Sequence, residues 1–197
     1  MLTALLQHIQ LVSITLLISV AIATLITALI RRAPRMGEYV QGALGALYSV
    51  PSLALFALLI PLMGIGRTTA LVVLVAYNQF LLVRNFDAGL DAVDPGLVEA
   101  AKSLGMPPGQ TFLHVQFPMA VPVFVAGIRL AAISTIGIAT IAAVIDAGGL
   151  GVLLFDGLRS RDITTLLWGT ALAAGLAIMA NTLLSYTEKL LRGRESS

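Results

Sequence analysis

The polar segment DPGLVEAAKSLGMPPGQTFLHVQFP, which begins at Asp94, interrupts an otherwise apolar sequence and carries residues suited to a short helix. Asp94 can cap a helix N-terminus, and Pro95 suits the first helical position. Gly105 suits the left-handed position just beyond the end of a helix. We therefore predict a helix over 96–104, and the Pro-Pro pair that follows prevents its continuation.

This short helix has an apolar face that needs a partner. At about 100° per residue, four apolar residues share one face: Leu97, Ala100, Ala101 and Leu104. A helix of this length is marginal alone in water. The two small alanines permit close approach to a groove in another protein. The alternative is that the helix rests on the membrane surface or on the chain's own helix ends, and the residues leave both open.

A second group of polar or unusual residues lies inside the apolar runs. Its members are Tyr48, Pro51, Tyr77, Asn78, Gln79 and Arg129. A translocation path through a membrane needs weak, wettable contacts of this kind. The alternative is hydrogen bonding between helices. Arg129 is a candidate for gating, for a structural role or for substrate contact, because ionisable groups inside membranes are expensive.

The sequence gives no support for a catalytic function. His8 and His114 lie far apart and form no cluster with metal-ligand spacing, and the chain has no cysteine. No G-x-S-x-G nucleophile context occurs. Asp87, Asp91 and Asp94 are interpreted as solvated loop residues and a helix cap rather than paired acids. We expect no catalytic residue, no metal and no bound cofactor.

The composition indicates which elements position these residues. The chain has 197 residues, of which 58% are hydrophobic and only 11% charged, against about a quarter charged in soluble domains. We therefore predict an all-α integral membrane protein, a single transmembrane domain over 1–197. Five apolar runs are long enough to span a bilayer: 4–30, 39–63, 68–86, 118–145 and 163–190. Prolines at 51, 61 and 122 predict kinks.

The basic residues predict the orientation. With the N-terminus outside and the C-terminus in the cytoplasm, most of them fall on the cytoplasmic side: Arg31, Arg32, Arg35, Lys102, Lys189, Arg192 and Arg194. This orientation makes 87–117 a cytoplasmic loop and 146–162 an external loop. The net charge of +2 is spread along the chain, so we expect no nucleic-acid partner.

The polar segment resembles the signature loop of binding-protein-dependent ABC importer permeases. That family pattern is Glu-Ala-Ala, three residues, Gly, nine residues, then Ile-any-Leu-Pro. Here EAAKSLG begins at Glu99 and ends at Gly105, and VQFP ends at Pro118, with Val and Phe in the places of Ile and Leu. The segments 48–66, 90–106 and 122–151, and GLRSRD at 157–162, resemble the osmoprotectant branch, which imports glycine betaine, carnitine or choline.

The resemblance implies a type I importer permease fold, in which the polar segment forms a helix that docks in an ATPase subunit. On this basis the residues that couple to the ATPase would be Glu99, Ala100, Ala101, Lys102, Leu104 and Gly105. The implied partners are a cytoplasmic ABC ATPase dimer, a second permease subunit that is identical or homologous, and an external substrate-binding protein. The implied location is the cytoplasmic (inner) membrane of a bacterium or archaeon.

The sequence independently supports the assignment of ATP hydrolysis to a separate subunit. A P-loop needs G-x-x-x-x-G-K-[ST], and the two lysines, Lys102 and Lys189, lie in no such motif. We therefore expect ATP and Mg²⁺ to bind a separate ATPase chain.

Two alternatives remain open for the function: a permease for amino acids or another small polar solute, and a secondary transporter. The latter predicts inverted repeats and mid-membrane carboxylates.

Overall fold

The computed structural model describes residues 1–193, and this part of the chain is helical, without strands. The α-helices are α1 (Leu2–Arg32), α2 (Pro34–Ser49), α3 (Ser52–Met63), α4 (Arg67–Asp91), α5 (Pro95–Ser103), α6 (Pro108–Thr111), α7 (Phe117–Ile141), α8 (Gly151–Ser160) and α9 (Ile163–Gly193). A π-helical turn, Phe112–Gln116, leads into α7, and a 3₁₀ turn, Ala142–Ile145, follows it. Arg194, counted above among the cytoplasmic basic residues, lies outside the described residues.

Within 1–193, four helical stretches are long and apolar enough to cross a membrane. They are Leu2–Arg32, Arg67–Asp91, Pro108–Ile145 and Ile163–Leu191. Helices α2 and α3 meet at an angle of 96°. If this bent pair forms one broken span, the number of crossings is five. The all-helical membrane architecture predicted from composition is confirmed at this level, with four or five spans.

The apolar run 39–63 is not one continuous helix, because the chain leaves the helical conformation at Val50 and Pro51. Val50 is extended, with φ −68° and ψ 133°, and Pro51 has no backbone N–H to continue the ladder. A residue before proline is disfavoured in the α region, so the bend of 96° is centred on this pair. The kink expected at Pro51 is confirmed, while Pro61 and Pro122 lie inside α3 and α7, which continue through them.

The core of the bundle is built around α4, which packs against both α1 and α7, and these two helices also contact each other. Phe56, Leu74 and Ile136 are buried in one apolar cluster, and Leu82 and Ala131 in another. The contact between α4 and α7 is close at Gly127, where a Cβ would lie 2.5 Å from the Asn85 Cβ. Small residues allow such an approach between helices in lipid.

The loop predicted over 146–162 contains a helix, α8, that the sequence did not reveal. A Cβ on Gly157 would lie 2.6 Å from the Leu166 backbone nitrogen, so α8 packs directly on the backbone of α9. Asp162 then begins α9: its carboxylate accepts from the Thr164 N–H at 2.9 Å and the Thr165 hydroxyl at 2.6 Å. The Thr165 hydroxyl and then its N–H hold the pKa of Asp162 below its ordinary value.

The start of α1 is tied to the glycine segment before α8. Gln7 Oε1 accepts from the Gly149 N–H, and His8 Nδ1 accepts from the Leu150 N–H, each at 3.3 Å. His8 is fully buried, and its imidazole satisfies one backbone N–H of this turn. This contact joins residues far apart in sequence, which is why His8 alone gave no signal.

Candidate coupling and translocation sites

Helix α5 begins and ends with the residues that the sequence analysis assigned to its caps. The Asp94 carboxylate accepts from the Gly96 N–H at 2.8 Å. Gly105 has φ +82°, its N–H donates to the Lys102 carbonyl at 2.9 Å, and the Met106 N–H donates to the Ala101 carbonyl at 3.1 Å. These two bonds satisfy carbonyls that a helix end leaves free. The predicted helix over 96–104 is thereby confirmed within one residue at each end.

The apolar face predicted for α5 is divided between the bundle and the surface. Ala101 is 5% exposed and packs inward. Leu97 and Leu104 are 44% and 84% exposed, and Ala100 between them is exposed as well. The helix therefore presents an outward apolar strip of Leu97, Ala100 and Leu104, because only the edge of its apolar face meets the bundle.

Charged groups border this strip. Glu99 and Lys102 are exposed, and both line a shallow cavity of about 450 Å³ that α5 forms with the end of α4 and with Gln116. A surface with an apolar centre and charged rim is typical of protein docking sites. The structure thus brings all six predicted coupling residues, 99–102 with 104 and 105, onto one short capped helix and its end.

An ion-pair cluster anchors the end of α4 from which α5 continues. Arg31 of α1 contacts the Asp87 and Asp91 carboxylates at 2.9 and 2.5 Å, and the Gln41 amide of α2 donates to Asp87 at 2.8 Å. The interpretation of Asp87 and Asp91 as solvated loop residues is wrong, since both lie in α4. On a helix the spacing of four places both carboxylates on one face, where a single arginine can contact both.

The predicted path residues Tyr48, Pro51 and Tyr77 meet at the break between α2 and α3. The Tyr77 hydroxyl donates to the Val50 carbonyl, at the point where the helical ladder is interrupted. The Tyr48 ring lies 5.6 Å from that of Tyr77 and stacks on Phe80 at 5.0 Å. Irregular backbone inside a membrane persists where side chains satisfy its polar groups, and Tyr77 does so here.

The Tyr77→Phe variant is expected to unfold more easily by about 1–3 kcal/mol, because the Val50 carbonyl loses its donor. Tyr48→Phe is the matched control: within residues 1–193 the Tyr48 hydroxyl forms no hydrogen bond, and the ring stays. Thermal or denaturant unfolding of the purified protein in detergent measures the difference. Equal stability of the two variants would show that the Tyr77 hydroxyl does not support the break.

Asn78 and Gln79 lie inside the bundle rather than at its surface, 1% and 5% exposed. The Asn78 amide nitrogen lies 2.9 Å from the Thr135 hydroxyl of α7 and 3.3 Å from the Ser19 hydroxyl of α1. Gln79 donates to the Val75 carbonyl at 2.9 Å. The contacts of Asn78 join three helices, as the alternative of inter-helix hydrogen bonding predicts.

Arg129 of α7 lies against α9. Its guanidinium is 3.4 Å from the Glu188 carboxylate and 3.5 Å from the Asn181 amide oxygen. Sequence reasoning missed both partners, because they are more than fifty positions away. Pairing with a carboxylate lowers the cost of placing an arginine among membrane helices. The contact fits a structural or gating role for Arg129.

The described residues 1–193 hold no group of three or more metal-ligating side chains. The geometry supplies two features suited to transport: an exposed capped helix beside the ends of α4 and α7, and a break in a membrane helix lined by aromatic rings. Neither arrangement offers a nucleophile paired with a base.

Comparison with characterised proteins gives close relatives over most of the chain. It is 39% identical over 190 residues to the osmoprotectant import permease protein OsmW of Salmonella typhimurium, covering 94% of this chain and 88% of the relative. It is 34% identical over 182 residues to the carnitine transport permease protein OpuCB of Listeria monocytogenes, covering 92% and 84%. The choline transport system permease protein OpuBB of Bacillus subtilis is 33% identical over 185 residues, covering 94% and 85%.

Solved structures show the same fold at lower identity. A chain of the inward-facing MetNI methionine ABC transporter superposes with a TM-score of 0.86 at 19% identity, covering 96% of this chain and 95% of that one. A chain of an amino acid ABC transporter superposes with a TM-score of 0.78 at 21% identity, covering 95% and 92%.

The family model for the inner membrane component of binding-protein-dependent transport systems matches residues 16–194. This match covers nearly the whole chain, and with it the signature loop found in the sequence. The chain therefore belongs to the family of binding-protein-dependent transport system inner membrane components.

Proposed function

We propose that this chain is the permease subunit of an ATP-driven importer for a quaternary-amine compatible solute such as glycine betaine, carnitine or choline. The observation that carries the proposal is α5, a capped helix with an exposed apolar strip, in a chain of this family. In the proposal α5 docks into a cleft of a separate ATPase subunit. Movement of the ATPase pair is then transmitted through the cluster of Arg31, Asp87 and Asp91 to the spans.

The substrate class is supported by the relatives and by the aromatic group at the helix break. Three relatives are named for osmoprotectant, carnitine and choline transport. At the break Tyr77 is buried, and Phe80 is covered by Tyr48 and by the Arg84 guanidinium. The partly exposed Tyr48 ring offers the aromatic surface, which attracts a quaternary ammonium weakly. Weak attraction suits a path, since a solute must leave as readily as it enters. Arg129 is already paired with Glu188, and its like charge argues against contact with the ammonium group.

The finer topology belongs to the same proposal. The broken pair α2 and α3 forms one of five spans, the N-terminus lies outside, and the C-terminus and α5 lie in the cytoplasm. The chain works beside an identical or homologous permease, an ABC ATPase dimer holding ATP and Mg²⁺, and an external binding protein, in a bacterial or archaeal inner membrane. In Helicobacter pylori a relative named as an ergothioneine transport permease is also an ergothioneine binding protein, so the binding function can share a chain.

The substrate assignment is tested by uptake into proteoliposomes that contain the complete transporter with its binding protein. We expect ATP-dependent uptake of labelled glycine betaine, choline or carnitine, with competition among the three and none from methionine or histidine. Competition by an amino acid alone would instead support the amino-acid alternative. Uptake that continues without ATP and follows an ion gradient would contradict the ATP-driven mechanism and support a secondary transporter.

A further inference from the structure

A groove of about 640 Å³ lies between α1, α4 and α7, at the end of the bundle that carries α5. Along α1 it is lined by Val20, Thr24, Thr27, Ala28, Arg31 and Arg32. From the first to the last of these residues the helix rises about 18 Å, at roughly 1.5 Å per residue. Half of the hydrocarbon core of a bilayer is about 15 Å, so the groove is about one leaflet long.

The walls of the groove are apolar. Phe86 and Leu90 of α4 line it together with Val121, Phe124 and Val125 of α7, and the Phe86 and Phe124 rings pack against each other at 4.9 Å. The groove is open along its side, because Thr24, Ala28 and Phe117, which also line it, are exposed. In a bilayer, an open apolar groove of this length meets the hydrocarbon chains of the lipid.

One end of the groove is basic. Arg31 and Arg32 both line it, but Arg31 is engaged by Asp87 and Asp91. Those two carboxylates line a separate cavity of about 490 Å³ beside α2 and do not line the groove. Arg32 is exposed and forms no ion pair within residues 1–193. It is therefore the cation available to an anionic group at this end.

A buried hydroxyl lines the groove one turn before the arginines. Thr27 is 4% exposed, and its Oγ1 has no hydrogen-bond partner among the described residues. The neighbouring Thr24 hydroxyl, in contrast, donates to the Val20 carbonyl at 2.8 Å. Buried polar groups normally have partners, so Thr27 indicates that an acceptor is missing beside the groove.

We propose that this groove binds one acyl chain of an anionic phospholipid from the leaflet on the arginine side. The phosphate lies against Arg32, and an ester carbonyl of the glycerol backbone accepts from Thr27. Basic pockets between membrane helices are suited to such headgroups. Phe112, in the π-helical turn between α5 and α7, and Phe117, the first residue of α7, line the same groove. The bound lipid therefore holds the α5 segment against α1.

The proposal is tested on the complete transporter in nanodiscs that contain equal amounts of phosphatidylethanolamine and phosphatidylglycerol. Native mass spectrometry then measures the lipid that stays bound to the protein. Ala28→Trp fills the groove, and Leu25→Trp is its matched control, because Leu25 is 61% exposed on α1 and does not line the groove. We expect wild type and Leu25→Trp to retain about fivefold more phosphatidylglycerol than phosphatidylethanolamine. This is the preference that one basic group near an anionic headgroup provides. Ala28→Trp loses the retained lipid.

Arg32→Gln keeps the groove open and separates headgroup from acyl-chain binding. We expect this variant to retain lipid with about equal amounts of the two headgroups. Equal retention by Ala28→Trp and Leu25→Trp would overturn the proposal, as would a phosphatidylglycerol preference unchanged by Arg32→Gln. Since the chain has no cysteine, Ala28→Cys adds a direct check. Its crosslinking to a second permease chain would show that protein, not lipid, covers the groove.

Discussion

Replacing Gly105 by proline is expected to reduce ATP-dependent uptake by more than about tenfold, a loss of at least 1.4 kcal/mol in coupling. Gly105 has φ +82°, whereas proline is confined to about −65°. The substitution also removes the N–H that donates to the Lys102 carbonyl at 2.9 Å. The end of α5 must then rearrange, and Leu104, 84% exposed beside it, moves away from the position that docks.

The control for this variant is Gly105→Asn, because asparagine is the side chain that best tolerates the left-handed conformation. We expect the Asn variant to keep most of the transport activity. Uptake and ATP hydrolysis are measured together in proteoliposomes, at matched amounts of assembled complex. If the proline and asparagine variants transport equally, the geometry at the end of α5 does not carry the coupling.

Replacing Gly151 by alanine is expected to destabilise the fold strongly. A Cβ at this position would lie 1.9 Å from the Thr140 carbonyl oxygen and 2.7 Å from the Ala143 Cβ. The first contact is to backbone, which cannot rotate away, so α8 or the end of α7 must shift. Overpacking of this kind costs about 1–3 kcal/mol and occasionally more. We expect the upper part of that range, and correspondingly little monodisperse protein after extraction.

Gly137→Ala in α7 makes the same chemical change where a Cβ meets nothing within 4 Å. It should leave folding unchanged or improve it by about 0.5–1 kcal/mol, since alanine is the better helix former. The folded fraction after detergent extraction and the apparent Tm compare the two variants. Similar values for both would mean that α8 does not pack against α7 as closely as described.

Local features of the sequence were sufficient to predict α5. Asp94, Pro95 and Gly105 act within a few residues of the positions they control, so capping rules applied directly. Long apolar runs likewise predicted α1, α4, α7 and α9, because the bilayer imposes a minimum length on a crossing helix. The end of α4 was less well predicted: the helix continues to Asp91, since its last turn is held by Arg31.

Contacts between distant residues could not be predicted from one sequence. Arg31 with Asp87, and Arg129 with Glu188, are separated by more than fifty positions, and no local pattern links them. The bend at Pro51 was expected as a kink, but its size depends on how α2 and α3 pack on α4. Helix α8 was missed because glycines at 148, 149 and 151 indicate a turn, while packing on α9 stabilises the helix that follows.

The central claim is that α5 docks on a separate ATPase in the cytoplasm, and site-specific crosslinking tests it most directly. The chain contains no cysteine, so Leu104→Cys and Leu158→Cys each introduce a single thiol at an exposed position, 84% and 64% exposed. Each is combined in the purified transporter with a thiol-reactive, photoactivated crosslinker. We expect Leu104→Cys to capture the ATPase, with a yield that changes on addition of ATP, and Leu158→Cys on α8 to capture none. Capture of the ATPase from Leu158 but not from Leu104 would contradict both the orientation and the coupling role of α5.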